Sequence, residues 1–156
     1  MRIHLIAMGT RMDDWVNQGF SNYQKRMPAE FSLRLLEIPL QKRAKNADLA
    51  RIVEKEGEKM LQSVPTNAAL CSLDVNGRAY STEELSAQLQ RWRDSGQDLA
   101  LLVGGPEGLS AACRDQVSQS WSLSPLTLPH PLVRIIVAEQ LYRAYTILAN
   151  HPYHRA

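Results

Sequence analysis

The chain has 156 residues, 44% of them apolar and 22% charged, with a formal net charge of +2. That is the usage of one ordinary globular domain, able to bury roughly two-thirds of its unfolded surface, and it excludes a disordered or fibrous chain. A charge so near zero is no argument for nucleic-acid binding, and no apolar run reaches the ~20 residues that span a bilayer.

Met1 to Met8 is a short apolar run with one leading arginine and no small-residue cleavage site, so no signal peptide is expected and the location read from the chain is cytoplasmic. Short apolar runs at Arg2 to Met8, Leu33 to Ile38, Ala68 to Val75, Leu99 to Val103 and Leu123 to Leu128 predict strands. Between them, apolar residues returning every three or four positions predict helices over Asp14 to Met27, Asn46 to Val64, Ser81 to Ser95, Ser110 to Ser120 and Pro131 to Asn150. Ser81 with Glu84 makes a capping-box pattern and Thr10 with Asp13 a weaker one; Asn46 is a possible cap, and Pro131 suits a first helical position. The alternation predicts an α/β fold with a mostly parallel sheet, helices on both faces, and a single domain over residues 1–156. Cys71 and Cys113 lack a Cys-x-x-Cys partner and read as reduced, buried thiols.

In open parallel sheets ligands bind beyond the carboxyl ends of the strands. That singles out the loops after Val75, Val103 and Leu128. Gly104-Gly105-Pro106-Glu107-Gly108 is a sharp turn in which glycine permits positive φ and leaves room for a ligand, yet it has neither the P-loop ending nor the dinucleotide spacing. A plain strand-to-helix turn is the alternative. Leu123-Ser124-Pro125-Leu126-Thr127-Leu128-Pro129-His130-Pro131 holds three prolines in seven residues, which force an extended chain. Such a chain can wrap an adenine ring, or it can be a rigid connector with a satisfied His130.

The Pro131 to Asn150 helix is apolar around most of its circumference and so needs burial on more than one side, which a second copy of the chain supplies most easily. Glu139 and Arg143 stand at the spacing of a surface ion pair. From Gln116 onward Arg134, Arg143 and Arg155 face one acid, Glu139, beside His130, His151 and His154, a positive C-terminal edge or merely a solubilising one. The final Asn150-His151-Pro152-Tyr153-His154-Arg155 concentrates groups that stack on RNA bases or bind phosphate, although chain ends are also commonly inert.

Gly104 to Leu109, Leu126 to Arg134, Ala138 to Ala144 and Asn150 to Arg155 together closely resemble the ribosomal RNA large subunit methyltransferase H family, minimal SPOUT enzymes. Gly9-Thr10, Asp14-Trp15, Lys45 to Asp48 and Glu56-Gly57 extend the resemblance over essentially the whole chain. It implies a SPOUT methyltransferase fold with a deep C-terminal trefoil knot, a homodimer, and S-adenosyl-L-methionine held at Leu73, Gly104 and along Leu123, Ser124, Pro125, Leu126, Thr127 and Leu128. It also implies methyl transfer to N3 of a pseudouridine in the intersubunit stem-loop of 23S ribosomal RNA, in assembled ribosomes, with neither metal nor membrane. His130, Arg143, Tyr153, His154 and Arg155 are the candidate catalytic residues under that resemblance. A ribosome-binding assembly factor without chemistry, or a SPOUT enzyme for another nucleotide, are the competing readings.

Overall fold

The computed structural model describes residues 1–155. Five strands, β1 (Arg2–Met8), β2 (Ser32–Ile38), β3 (Ala69–Ala79), β4 (Leu99–Val103) and β5 (Gln119–Ser122), alternate with helices α1 (Asp14–Gln24), α2 (Leu49–Gln62), α3 (Thr82–Asp94), α4 (Ala111–Gln116) and α5 (His130–Leu148). One-turn 3-10 helices stand at Ala29–Phe31 and Pro152–His154. All pairings are parallel, in the order β2-β1-β4-β3-β5.

The central strands are buried on both sides, as parallel sheets between helical layers must be. Ile3, Leu5 and Ala7 of β1 and Leu99, Leu101 and Val103 of β4 point into one core with Phe20, Leu85, Leu89, Val137 and Leu141. The alternate residues Ile6, Met8, Ala100 and Leu102 point into a second core with Met60 and Cys113. Helices α1, α3 and α5 therefore cover one face, with α5 packed against both neighbours, and α2 with α4 covers the other. The helical layers expected on both faces are present.

Local signals resolve in different ways. Ser81 accepts from the Glu84 amide while the Glu84 carboxylate accepts from the Ser81 amide, completing the capping box at α3. At α2 the cap is Asp48 rather than Asn46, its side chain accepting from the Arg51 amide. Asp13 caps α1 without a side-chain bond, and Pro131 takes the second position of α5 after His130. The last strand is Gln119–Ser122, not Leu123 to Leu128, and the helix before it stops at Gln116. Pro125 and Pro129 cannot donate to a ladder, so the apolar run after β5 leaves the sheet.

The three sides of α5 that face the sheet, α1 and α3 are covered within the protomer: Val137, Ala138, Leu141 and Ala144 are fully enclosed. Its apolar circumference alone thus does not require a second copy. Trp15, Leu36 and Leu132 remain exposed.

Candidate functional site

Beyond the carboxyl ends of the strands lies a cavity of about 580 Å³, within the usual range for small-molecule sites. Leu73, Asp74 and Val75 from β3, Val103 to Pro106 with Gly108 and Leu109 after β4, and Trp121, Leu123, Ser124, Leu126, Thr127 and Leu128 after β5 line it. The three loops chosen from the strand pattern converge. Two more contribute: Gly9, Thr10 and Met12 follow β1, and Leu40 follows β2.

The glycine turn owes its shape to its own packing. A Cβ on Gly104 would lie 2.6 Å from the Gly108 carbonyl carbon, and Gly108 sits at φ 81°. Both glycines are needed for the chain to fold back on itself, so Gly104 answers to Gly108 and Leu109 rather than to room for a ligand. The turn is also clamped from outside. Arg43 donates to Glu107 through Nε at 2.9 Å and Nη2 at 2.7 Å, and to Glu56 through Nη1 and Nη2 at 3.1 and 2.8 Å. Paired with Arg43, Glu107 keeps its carboxyl below the ordinary range. Glu56 is buried and also accepts from the Gln41 amide, so the loop after β2 and the turn after β4 share one ionic fastening.

A second fastening lies under the cavity floor. Arg134 is completely buried; its Nη1 donates to Glu37 at 2.6 Å, Nη2 to the Gly9 carbonyl at 2.8 Å, and Nε to His130 Nε2 at 2.9 Å. A guanidinium only donates, so Nε2 is the acceptor and a neutral His130 carries its proton on Nδ1. Burial, reinforced by Arg134, lowers the His130 pKa and keeps the ring neutral. His130 lines the cavity with Nε2 committed to Arg134.

The SPOUT methyltransferase model, described as a predicted SPOUT methyltransferase, matches residues 1–154. The ribosomal RNA large subunit methyltransferase H proteins of Thioalkalivibrio sulfidiphilus and Hahella chejuensis are 61% and 59% identical over 155 residues, 99% of this chain and of each relative. The chain belongs to the SPOUT methyltransferase family. A solved structure of a probable methylase family protein from Haemophilus influenzae shares the fold, with TM-score 0.56 at 9% identity over 99% of this chain and 70% of the other.

Of the residues that family resemblance assigns to the cofactor, Leu73, Gly104, Leu123, Ser124, Leu126, Thr127 and Leu128 line the cavity, while Pro125 does not touch it. The five candidate catalytic residues separate. His130 is at the cavity, but Arg143 stands thirteen residues along α5, about 20 Å away at 1.5 Å per residue. There Arg143 donates to Glu139 at 2.6 Å, raising the pKa of its guanidinium, and lies 5.0 Å from the Tyr153 ring centre. Tyr153 donates to Glu139 at 3.1 Å and meets the Tyr142 ring edge-on at 4.7 Å. Burial, then Glu139, pushes its phenol up to about 12. His154 has a buried Nδ1 with no hydrogen-bond partner among the described residues, and Arg155 is exposed.

The supposed positive edge changes accordingly: Arg134 faces inward onto Glu37 and Arg143 is paired with Glu139, which leaves Arg155 as its exposed arginine. Sequence reading missed Arg134, Glu37, Arg43, Glu56 and Glu107 as site builders. The signal for Arg134 was present: an arginine one helical turn after His130, inside an otherwise apolar stretch. Among the described residues no group of three or more His, Cys, Asp or Glu could hold a metal ion, and no helix is long and apolar enough to cross a membrane.

Proposed function

We propose that this SPOUT chain is an S-adenosyl-L-methionine-dependent methyltransferase of large-subunit ribosomal RNA, acting on N3 of a pseudouridine in the intersubunit stem-loop of 23S RNA within assembled ribosomes. The observation that carries the reading is full-length identity of 61% to a protein named for that class of reaction, together with a built cavity at the loops the resemblance assigns to the cofactor. When bound, the cofactor would supply a methyl group on a positively charged sulfur: N3 gives up its proton to water and takes the methyl, and the sulfur would leave as a neutral thioether.

The protein's contribution is alignment, water exclusion and help with the N3 proton. Leu73, Leu123, Leu126 and Leu128 offer apolar faces to an adenine ring, and Gly104 offers backbone. Two candidates are poorly suited to accept a proton: His130 Nε2 already accepts from Arg134, and Tyr153 is held protonated. His154, whose Nδ1 has no hydrogen-bond partner among the described residues, and Arg155 remain for positioning the base and its phosphate.

Cavity and tail occupy opposite ends of α5, so one protomer does not unite them. A homodimer with α5 helices side by side and antiparallel brings each tail to its partner's cavity, and exposed Trp15, Leu36 and Leu132 suit such a contact. The trefoil knot belongs to the same reading: from β4 the chain passes to β5 on the far side of β3, and α5 then returns to pack on α1.

Purified protein incubated with ribosomes and methyl-labelled cofactor, followed by mass spectrometry of the 23S RNA, tests the proposal. Label on N3 of one pseudouridine supports it. Label at another nucleotide moves the enzyme to a different substrate, and cofactor binding without RNA label leaves the assembly-factor reading.

A further inference from the structure

Asp74 is the only formally charged residue among those lining the cavity. It stands within β3 where that strand loses register with β5, between Leu73 and Arg78, so that it lies in an irregularity of the strand rather than in the paired ladder. Its Oδ1 accepts from the Asn76 amide at 2.8 Å, which fixes the side chain in a local turn, and no ion pair compensates it among the described residues.

The two ionic fastenings around the cavity do not cancel this charge. Arg134 balances Glu37, and His130 is neutral; Arg43 faces two carboxylates, Glu56 and Glu107, leaving one negative charge. Asp74 and the two fastenings together carry two negative charges, in a chain whose overall formal charge is +2. A mostly apolar pocket with a negative frame in a weakly positive protein favours a cationic ligand.

We infer that Asp74 is a specificity-determining residue that favours the sulfonium form of the cofactor over the neutral thioether left after methyl transfer. The inference rests on the reading that the cavity takes S-adenosylmethionine. Donor and product share the adenosine, the ammonium and the carboxylate and differ by one methyl and one positive charge at sulfur. A carboxylate near that sulfur holds the charged donor and loses its attraction when the charge disappears, so product leaves more readily than donor.

Calorimetry with three probes tests this: S-adenosylmethionine, sinefungin, which carries an amine in place of the sulfonium methyl, and S-adenosylhomocysteine, which is neutral there. Asp74→Asn keeps an Oδ1 for the Asn76 amide, so its melting temperature should match that of the original chain. The variant should bind the two cations about tenfold more weakly, as expected for one screened charge pair, and the neutral product within about twofold of before. Added salt should weaken donor binding to the original chain more than to the variant. Equal losses for all three probes place Asp74 on a shared part of the ligand or in loop structure and overturn the inference, as does no loss for any. If the original chain binds none of the three while remaining folded, the methyltransferase reading fails and this inference with it.

Discussion

The two ends of α5 are built on different physical terms. At its start, Arg134 is sealed from water and ties Glu37, Gly9 and His130 together, so the cavity is framed by bonds made in a low-dielectric interior. At its end, Glu139, Arg143 and Tyr153 form a half-open cluster of one ion pair, one phenol bond and an edge-on ring contact. Buried charges are costly to leave unpaired, whereas exposed pairs contribute little and rearrange freely. The difference suits a pocket formed in advance at one end and an adaptable contact surface at the other.

The largest effect should come from breaking the buried end. Arg134→Met leaves the His130 acceptor and the Gly9 carbonyl without their donor, while Glu37, a third exposed, is re-solvated; a loss of about 2–4 kcal/mol is expected in denaturant unfolding. A loss below about 1 kcal/mol would show that this end is no stiffer than the other. Next comes Gly104→Ala, whose new methyl meets the Gly108 backbone. Strain of about 1–3 kcal/mol should appear as a ten- to hundredfold fall in cofactor affinity by calorimetry, since the turn and not the sheet absorbs it.

At the tail, Arg155→Ala should cost roughly ten- to a hundredfold in ribosome methylation, with cofactor affinity unchanged, and a chain ending at Asn150 should lose methylation while still binding cofactor. Equal methylation by the shortened and full chains would remove the tail from the site. The smallest effect is expected for Glu139→Gln, about 0.3–0.5 kcal/mol of stability. Its sharper readout is phenolate absorbance. Tyr153 is raised from 10 to about 12 chiefly by burial and then by Glu139, so the variant should ionise at lower pH, though still above 10. The raised value means the fold favours the neutral phenol: its contribution is complete below about pH 10 and is lost as pH climbs towards 12.

How far the chain could be read in advance depended on what each residue answers to. β1 and β4 fell at the positions expected because their apolar runs respond to nearest layers alone, and Ser81-Glu84 because a capping box is complete within four residues. Leu123 to Leu128 looked like a strand because its leucines recur, yet they answer to a cavity, and Leu126 is 73% exposed. The true strand, Gln-Ser-Trp-Ser, has one large apolar residue and is held by pairing with β3. The loops that build the candidate site were legible from strand order, but their fastening was not. Arg43 meets Glu107 sixty-four positions later and Arg134 meets Glu37 ninety-seven positions earlier, separations no local pattern encodes.

Those separations bear on synthesis. Gly9 leaves the ribosome early, but the arginine that grips its carbonyl is translated 125 residues later. At typical rates of about 5–20 residues per second, the opening strand waits roughly 6 to 25 seconds for that contact. Shorter nascent chains contain β1 to β4 but not the floor of the cavity, so binding competence should arrive abruptly near the end of translation. A series of stalled chains of increasing length, probed for cofactor retention, would show a single step after Arg134 has emerged rather than a gradual rise.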